Sequence, residues 1–545
     1  MTERDWDVVV VGSGAGGAAV AYGLCQRGVS VLVLEAGPRF DPAADYGQGE
    51  ADWELRDLSE KPGATGQVTM TAGQMLATDE PLLASTNRVS GRDVEGGRRL
   101  MGQYHHVRGV GGSTLHFTGE AHRLHPEAMR MKSRFGVAAD WPTDYAELEP
   151  YYARVEEIVG VAGPRSQGAR WRSTPFPLPA HPLSYGACTL GRGAETLGLG
   201  WEANSRAALS KPYRGRPPCN YCGACQMGCI PGDKGSADLT FIAPAVETGR
   251  CTVHPDSPVV TIEAGPDDRV AAVLIGRAGG TLERIAPPHL VLAAGAIETP
   301  RLLHASGHLG NESGEVGRNF METTAALLTA LHPEPQHARR GLPADAICWD
   351  FNAPDAIPGV VGGCRIYNAS ADAGAMGLST FASELVPGWG RDHARELRRT
   401  WGHSLTIAAI GESLPNSNAR VDLDDKKRDR FGIPLARITS WLGQSDIARL
   451  RFMSAKCREV LAACGATETI ECSTTWDIFN STHVFGTCRM GTDPAASVVD
   501  PNLRSHRWRN LWITDASVFP SSGGGEGPSL TIQALALRTA EKIGT

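Results

Sequence analysis

The sequence predicts an α/β fold centred on a parallel sheet. Three observations carry this. An unbroken apolar run opens into a glycine-rich turn near the start, and a second such run precedes a glycine-rich crossover near the end. The chain is also long enough, at 545 residues with 41% apolar, to bury the core of two to four structural units.

Residues 7–12 read DVVVVG. A β-branched run without polar alternation marks a strand covered on both faces. It enters GSGAGG, where Gly12, Gly14 and Gly17 fill a G-x-G-x-x-G frame and Ser13 and Ala15 take variable positions. Residues 15–27 suit a helix with a small-residue face, and Gly28 suits its stop. VSVLVLEAG supplies a second buried strand ending at Glu35. Gly12 permits the tight turn, Gly14 lets a pyrophosphate approach the backbone, and Gly17 lets helix and strand pack closely. The helix N-terminus offers free N–H groups and partial positive charge. Glu35 stands where an acid accepts hydrogen bonds from ribose hydroxyls. Strand, turn, helix, strand and acid in order point to a Rossmann-type dinucleotide site, without separating FAD from NAD.

Composition excludes other classes. Lys plus Arg is 53 and Asp plus Glu 60, a formal charge of −7, which lacks the basic bias of a nucleic-acid scaffold. The 64 glycines follow no three-residue period, so collagen is excluded. No apolar run approaches the ~20 residues that span a bilayer. The opening MTERDWDVVVVGSG is acidic where a secretory signal is basic, so the expected location is cytoplasmic, or periplasmic only if carried by a signal-bearing partner.

Near the other end, NLWITDA (510–516) reads as a further buried strand. SVFPSSGGGEGPS is the crossover, and Pro528 opens a helix with body PSLTIQALALRTAEKI. His483 precedes GTCRMG (486–491), then VVDPNLRSH (498–506) and TDASVFP (514–520). This order resembles the C-terminal signature of the glucose–methanol–choline (GMC) oxidoreductases, FAD-dependent enzymes acting on alcohols. RGVGGSTLHFTGEAHR (108–123) resembles that family's flavin-side glycine loop. LVLAAGAIETPRLL (290–303) resembles its second nucleotide signature, a strand, turn and helix capped near Glu298 and Thr299. EVGRNFMETT (315–324) and GESLPNSNARVDL (411–423) resemble further family segments.

The resemblance implies a Rossmann-type FAD-binding domain assembled from 1–45, 88–130, 230–320 and 480–545. It also implies an α+β substrate domain from 131–229 and 321–479 with a mainly antiparallel sheet. It implies cofactor contact at Gly111, Gly112, Ser113, His116, Val259, Ala294, Asp515, Gly527 and Pro528, besides the residues of the first turn. It places His483 as the base that takes the hydroxyl proton during hydride transfer; imidazole suits this, with an unperturbed pKa of about 6.5. The family's second catalytic residue, His or Asn, aligns with Gly527, so the adjacent Glu526 is the catalytic candidate in its place. The helix from Pro528 is expected to aim its positive end at the flavin. Some relatives carry a His at the position of His116 that bonds the flavin covalently; contact without that bond is the expectation here.

Cys219, Cys222, Cys225 and Cys229 form C-x2-C-x2-C-x3-C within a chain holding 13 cysteines. The spacing matches a ferredoxin-type run and suits a [3Fe–4S] or [4Fe–4S] cluster; zinc and a metal-free loop are the alternatives. A cluster would pass electrons from the flavin to an outside acceptor, a small subunit or a cytochrome. The expected function is therefore FAD-dependent oxidation of a CH–OH group in a sugar, glycoside, polyol or other bulky alcohol. The alternatives are an alcohol oxidase using O2 and a redox-inactive FAD lyase. Trp349, Trp389, Trp401, His403 and Trp476 are candidate pocket liners.

Overall fold

The computed structural model describes residues 6–46, 86–99, 104, 106–165, 169–338, 341–369, 381–382, 385–476 and 481–544. Of the expected domain segments only 230–320 lies wholly within this set, and Asn480 of the C-terminal motif lies outside it.

Strands Val8–Val11, Val31–Leu34, Cys251–His254, His289–Leu292 and Leu511–Ile513 form one five-stranded sheet. Its order is Leu511–Ile513, His289–Leu292, Val8–Val11, Val31–Leu34 and Cys251–His254, and every pairing is parallel. Three remote stretches of chain thus meet side by side. Val8, Val9, Val10 and Val11 are all buried, as an unalternating run in a covered parallel sheet requires. Helix Ala15–Cys25 follows the first strand and packs on the C-terminal helix Ser529–Ala540, where Gly23 faces Ala540 too closely for a larger residue. Gly28, at φ +81°, turns the chain out of the first helix as expected.

A six-stranded antiparallel sheet forms a second layer, in the order Glu468–Thr474, Thr324–Leu331, Ser404–Gly411, Cys364–Asn368, Ala346–Cys348 and Glu202–Ala203. Strand alternation divides its residues. Leu405, Ile407 and Ala409 pack on Leu450, Met453 and Cys457 of helix Gln444–Ala463. Ala408 and Ile410 point the other way, with Ile347 and Tyr367. Among the described residues, no helix is long and apolar enough to cross a membrane.

One element begins earlier than the sequence suggests. The helix of the second nucleotide signature runs Gly295–Ala305 with Ala294 at its cap, not Glu298 or Thr299. The carboxylate of Asp515, on the neighbouring segment, accepts from Gly295 N (2.9 Å) and the Thr299 hydroxyl (2.6 Å). A tertiary contact therefore satisfies the first turn.

Candidate active site

The first region is a cradle of close backbone approaches. A Cβ on Gly12 would stand 2.5 Å from Ala293 O, and one on Gly17 would stand 1.9 Å from Gly12 O. Gly14 caps the first helix without any side chain, and nothing lies within 3.9 Å of where its Cβ would be. Opposite it, a Cβ on Gly112 would reach within 2.7 Å of Gly14 Cα. Gly111 (φ +110°) and Gly112 (φ +57°) thus bring the 108–123 loop against the first turn. Ser113 Oγ accepts from Val107 N (3.2 Å), just ahead of that loop.

Glu35 is buried, and burial raises its carboxyl pKa. Its Oε2 accepts from Ser13 N (2.9 Å) and the Ser13 hydroxyl (2.6 Å), and its Oε1 accepts Gly37 N at 3.1 Å. Oε1 keeps capacity for a ribose hydroxyl. Ser257 N donates to Glu35 O (2.7 Å), so Val259 opens its strand at the same corner. His116 Nδ1 bonds the Gln226 carbonyl, while its Nε2 is buried without a partner. Burial, then the nearby Lys234 charge, lowers its pKa to about 4, so the ring is neutral. An uncapped helix N-terminus, glycines facing one another, an acid at the second strand's end and an orphan buried imidazole nitrogen fit FAD.

The second region is a small cavity. Glu322, Thr323, Ile410, Gly411, His483, Phe485, Ser522, Gly523, Gly525 and Glu526 line a narrow, partly open recess with a cavity volume of about 10 Å³. His483 is held by its backbone: its N–H donates to Thr323 Oγ1 (3.2 Å), and its carbonyl accepts from the Thr323 hydroxyl (3.1 Å) and the Ser481 hydroxyl (2.9 Å). The ring is left to the cavity. Burial, then the charge of Arg365, lowers its pKa to about 4, so it is a neutral proton acceptor.

Glu526 shares that cavity with His483. Its Oε1 accepts from Arg170 Nη2 (2.6 Å) and His125 N (3.1 Å), while its Oε2 is buried without a partner. Arg170 lies 4.1 Å over the Trp349 ring and also bonds Asn352, whose Nδ2 donates to Gly524 O (2.8 Å). Gly527 does not present its N–H to the cavity, because that group donates to His122 Nδ1 (3.0 Å). His122 Nε2 pairs with Asn204 Oδ1 (2.8 Å), and burial holds the ring neutral with a pKa near 3. The last helix begins one residue after Pro528, at Ser529, with no acid in its first turn.

Arg365 fixes the floor. Its Nε donates to Gly525 O (2.5 Å), and its two Nη atoms bind Glu120 Oε1 (2.6 Å) and Oε2 (2.7 Å). Burial raises the Glu120 pKa, but the adjacent Arg365 charge outweighs it and holds the carboxyl well below its usual range. Across the cavity Arg99 binds Glu322 at 2.6 and 3.1 Å. No motif in the sequence marks Arg170, Arg365 or Arg99, and Glu120 and His122 stand within the 108–123 segment without being singled out by it; each meets its partner from a distant part of the chain.

In the cysteine run, Cys219 and Cys229 both turn toward the Asp233 carboxylate. Among the described residues no three His, Cys, Asp or Glu side chains are placed to hold a metal. Cys222 is exposed and Cys225 buried, and the Cys229 thiol donates to Asp233 Oδ1 (2.9 Å). Burial and the Asp233 charge raise the Cys229 pKa to about 12. Of the aromatic candidates, Trp349 reaches the site, edge-on to His122 at 5.0 Å. Trp389 is 87% exposed, Trp401 packs on Phe381, and Trp476 donates to Asp93 (2.8 Å). His403 bonds the His332 carbonyl (3.0 Å) in a turn away from the cavity.

Three comparisons bear on this arrangement. Models described as GMC oxidoreductase match residues 106–325 and 415–536, and one described as FAD binding domain matches 7–89. The fructose dehydrogenase large subunit of Gluconobacter japonicus is 30% identical, over 98% of this chain and 97% of that protein. The paromamine 6'-oxidase of Streptomyces fradiae is 29% identical, over 99% and 92%. The crystal structure of pyridoxine 4-oxidase from Mesorbium loti superposes with a TM-score of 0.61 at 19% identity, covering 99% of each chain, which supports the fold.

Proposed function

Since the chain belongs to the GMC oxidoreductase family and is an FAD-dependent oxidoreductase of CH–OH donors, we propose that His483 is its base and Glu526 its substrate-orienting group. FAD, when bound, supplies the two-electron acceptor for the hydrogen leaving carbon. A ring nitrogen of His483 takes the hydroxyl proton, for which the neutral ring is ready at physiological pH. Glu526, held by Arg170, offers Oε2 to a polar hydrogen of the substrate. The Thr323 and Ser481 hydroxyls, by bonding the His483 backbone, leave its ring free to meet the substrate.

The observation that carries this reading is that His483 and Glu526, with its bare Oε2, line one cavity. A sugar, glycoside, polyol or similar alcohol is the proposed substrate class, supported by the names of the relatives above. The electron acceptor is proposed to lie outside the chain. The fructose dehydrogenase relative is named as one subunit of an assembly, which supports a partner that collects electrons. No step runs through Cys219, Cys222, Cys225 or Cys229. The segments 1–45, 88–130, 230–320 and 480–545 are proposed as the nucleotide domain, supported by the parallel-sheet strands that fall within them.

The test is anaerobic. Purified yellow protein is mixed with a panel of sugars and alcohols, and the flavin absorbance is followed. Bleaching by a subset, and its loss in His483→Ala with FAD retained, is the expected result. A colourless protein that takes up no FAD, or bleaching unchanged in the variant, would overturn the reading.

A further inference from the structure

The stretches 410–413 and 522–526 run side by side along the cavity wall. Ser413 N donates to Ser522 Oγ (2.9 Å), and the Ser522 hydroxyl donates to Ser413 O (3.1 Å). A Cβ on Gly525 would stand 2.2 Å from Ile410 O. This contact carries two carboxyl groups. Glu526 gives Oε1 to Arg170 Nη2 and His125 N, while its Oε2 is buried and bare. Glu412, between the lining residue Gly411 and Ser413, is fully buried, and both of its carboxyl oxygens are bare. The charges that bear on Glu412 are Arg449 and Asp446, from helix Gln444–Ala463, and Glu526. Arg449 is committed elsewhere: its Nη2 donates to Asp446 Oδ1 (2.5 Å) and its Nη1 to the Val361 carbonyl (2.9 Å). Its Nε is bare, yet it makes no ion pair with Glu412 among the described residues.

Three bare acceptor oxygens thus lie in one buried contact, and a single proton resolves the imbalance. An ionised carboxylate only accepts hydrogen bonds, whereas a protonated one also donates. Burial without a partner drives a carboxyl group to its neutral form. Here burial, opposed by the Arg449 charge and aided by that of Glu526, raises the Glu412 pKa to about 8. Such a neutral acid is a hydrogen donor at physiological pH. We propose that Glu412 is a positioning residue for Glu526: it carries a proton, donates it as a hydrogen bond toward Glu526 Oε2, and so holds the pair at one negative charge. This rests on the reading of His483 and Glu526 given above. Oε2 has two lone pairs, so one remains for the polar hydrogen of the substrate. The proton is held below about pH 8 and lost above it. Its loss removes the donor and sets a second negative charge against Glu526, which displaces the orienting carboxylate from the substrate.

The test uses the FAD-loaded protein and two readouts. The infrared C=O stretch of a protonated carboxyl group is recorded from neutral to alkaline pH. A band that disappears as the pH passes about 8, and that is absent at every pH in Glu412→Gln, is expected. Anaerobic bleaching by a neutral alcohol gives kcat/KM over the same range. Wild type is expected to lose about tenfold per pH unit above about pH 8. Glu412→Gln, whose amide always donates, is expected to stay level throughout and within about threefold of the wild-type value at neutrality. Glu412→Asp is expected to restore the limb. If Glu412→Gln is insoluble, Glu412→Asp takes its place in the infrared comparison, where the band is expected at a shifted frequency. No band that follows the residue at 412, a wild-type profile without an alkaline limb, or a limb that Glu412→Gln leaves intact overturns the proposal while alcohol oxidation stands. Bleaching by no alcohol of the wider panel overturns the oxidation reading, and the positioning role with it, whatever the infrared band shows.

Discussion

The nucleotide cradle and the cavity beside it are built on opposite principles. The cradle works by removing side chains: Gly12, Gly14, Gly17 and Gly112 leave backbone against backbone. The cavity works by concentrating them: Glu120, Glu322, Glu412 and Glu526 are buried together with Arg99, Arg170 and Arg365. A cradle of glycines fails by steric exclusion, all at once. A cavity of paired charges fails pair by pair, and its damage is read in pH profiles and rates as much as in folding.

The largest expected effect tests the first half of that contrast. Gly17→Ala places a methyl 1.9 Å from Gly12 O, where only main chain could give way. Helix and strand would separate at the point where the fold begins, and we expect loss of soluble, FAD-containing protein, measured by flavin absorbance per chain. Gly14→Ala is its control. Its methyl meets nothing nearer than 3.9 Å, so the fold should persist while FAD affinity falls. Equal tolerance of both changes would break the steric account.

The second prediction concerns the cavity. His483→Ala should lower kcat by about 10²- to 10⁴-fold, the range for loss of a general base, with FAD content unchanged. In the intact protein the His483 pKa is depressed to about 4, chiefly by burial. The neutral, proton-accepting ring therefore persists from neutrality down to that value. kcat/KM for a neutral alcohol should stay level through pH 7 and fall below about pH 4, and that acid limb should vanish in His483→Ala. A limb centred near the ordinary imidazole value would show the ring to be solvated.

The two regions also differ in how far the sequence disclosed them. The cradle was legible because its parts are neighbours in sequence: the turn, Glu35 and the loop at 111–116 each act within a short window. His483 and Glu526 were legible through the motifs around them, and the structure brings both to one cavity. Their supports were not. Arg365 reaches Glu120 across 245 positions, Arg170 reaches Glu526 across 356 and Arg99 reaches Glu322 across 223. No periodicity encodes such a pair, since it exists only once two sheets are assembled. The same cause displaced the helix start at Gly295: Asp515, far along the chain, takes over the capping that local residues would otherwise supply. The cysteine run is likewise local in its spacing, and the structure adds what spacing does not encode: Cys222 is exposed, Cys225 is buried, and Cys219 and Cys229 both approach Asp233.

A third, smaller effect couples charge to chemistry. Glu120→Gln removes the partner of Arg365 and leaves a buried guanidinium unbalanced, which costs about 3–5 kcal/mol in comparable pairs. Glu120 also raises the His483 pKa while Arg365 lowers it. The acid limb should therefore move to still lower pH in Glu120→Gln. Denaturant titration measures the first consequence and the kcat/KM profile the second. A destabilised protein with an unmoved limb would mean that this pair supports the floor without touching the base.

The smallest expected effect lies outside both regions, and it shows what a local motif is worth without convergence. The Cys229 thiol donates to Asp233 Oδ1 at 2.9 Å, and a serine hydroxyl can make the same bond. With no three donors gathered among the described residues, Cys229→Ser should change stability by less than about 1 kcal/mol and leave FAD content and alcohol-dependent bleaching as they were. Iron analysis of anaerobically purified wild type and variant supplies the opposing outcome. Stoichiometric iron in the wild type, lost in Cys229→Ser, would show that the four thiols close around a cluster once iron is present. The cysteine loop would then belong with the cradle, as a site whose ligands are local in sequence, and the line between legible and illegible parts of this molecule would be redrawn accordingly.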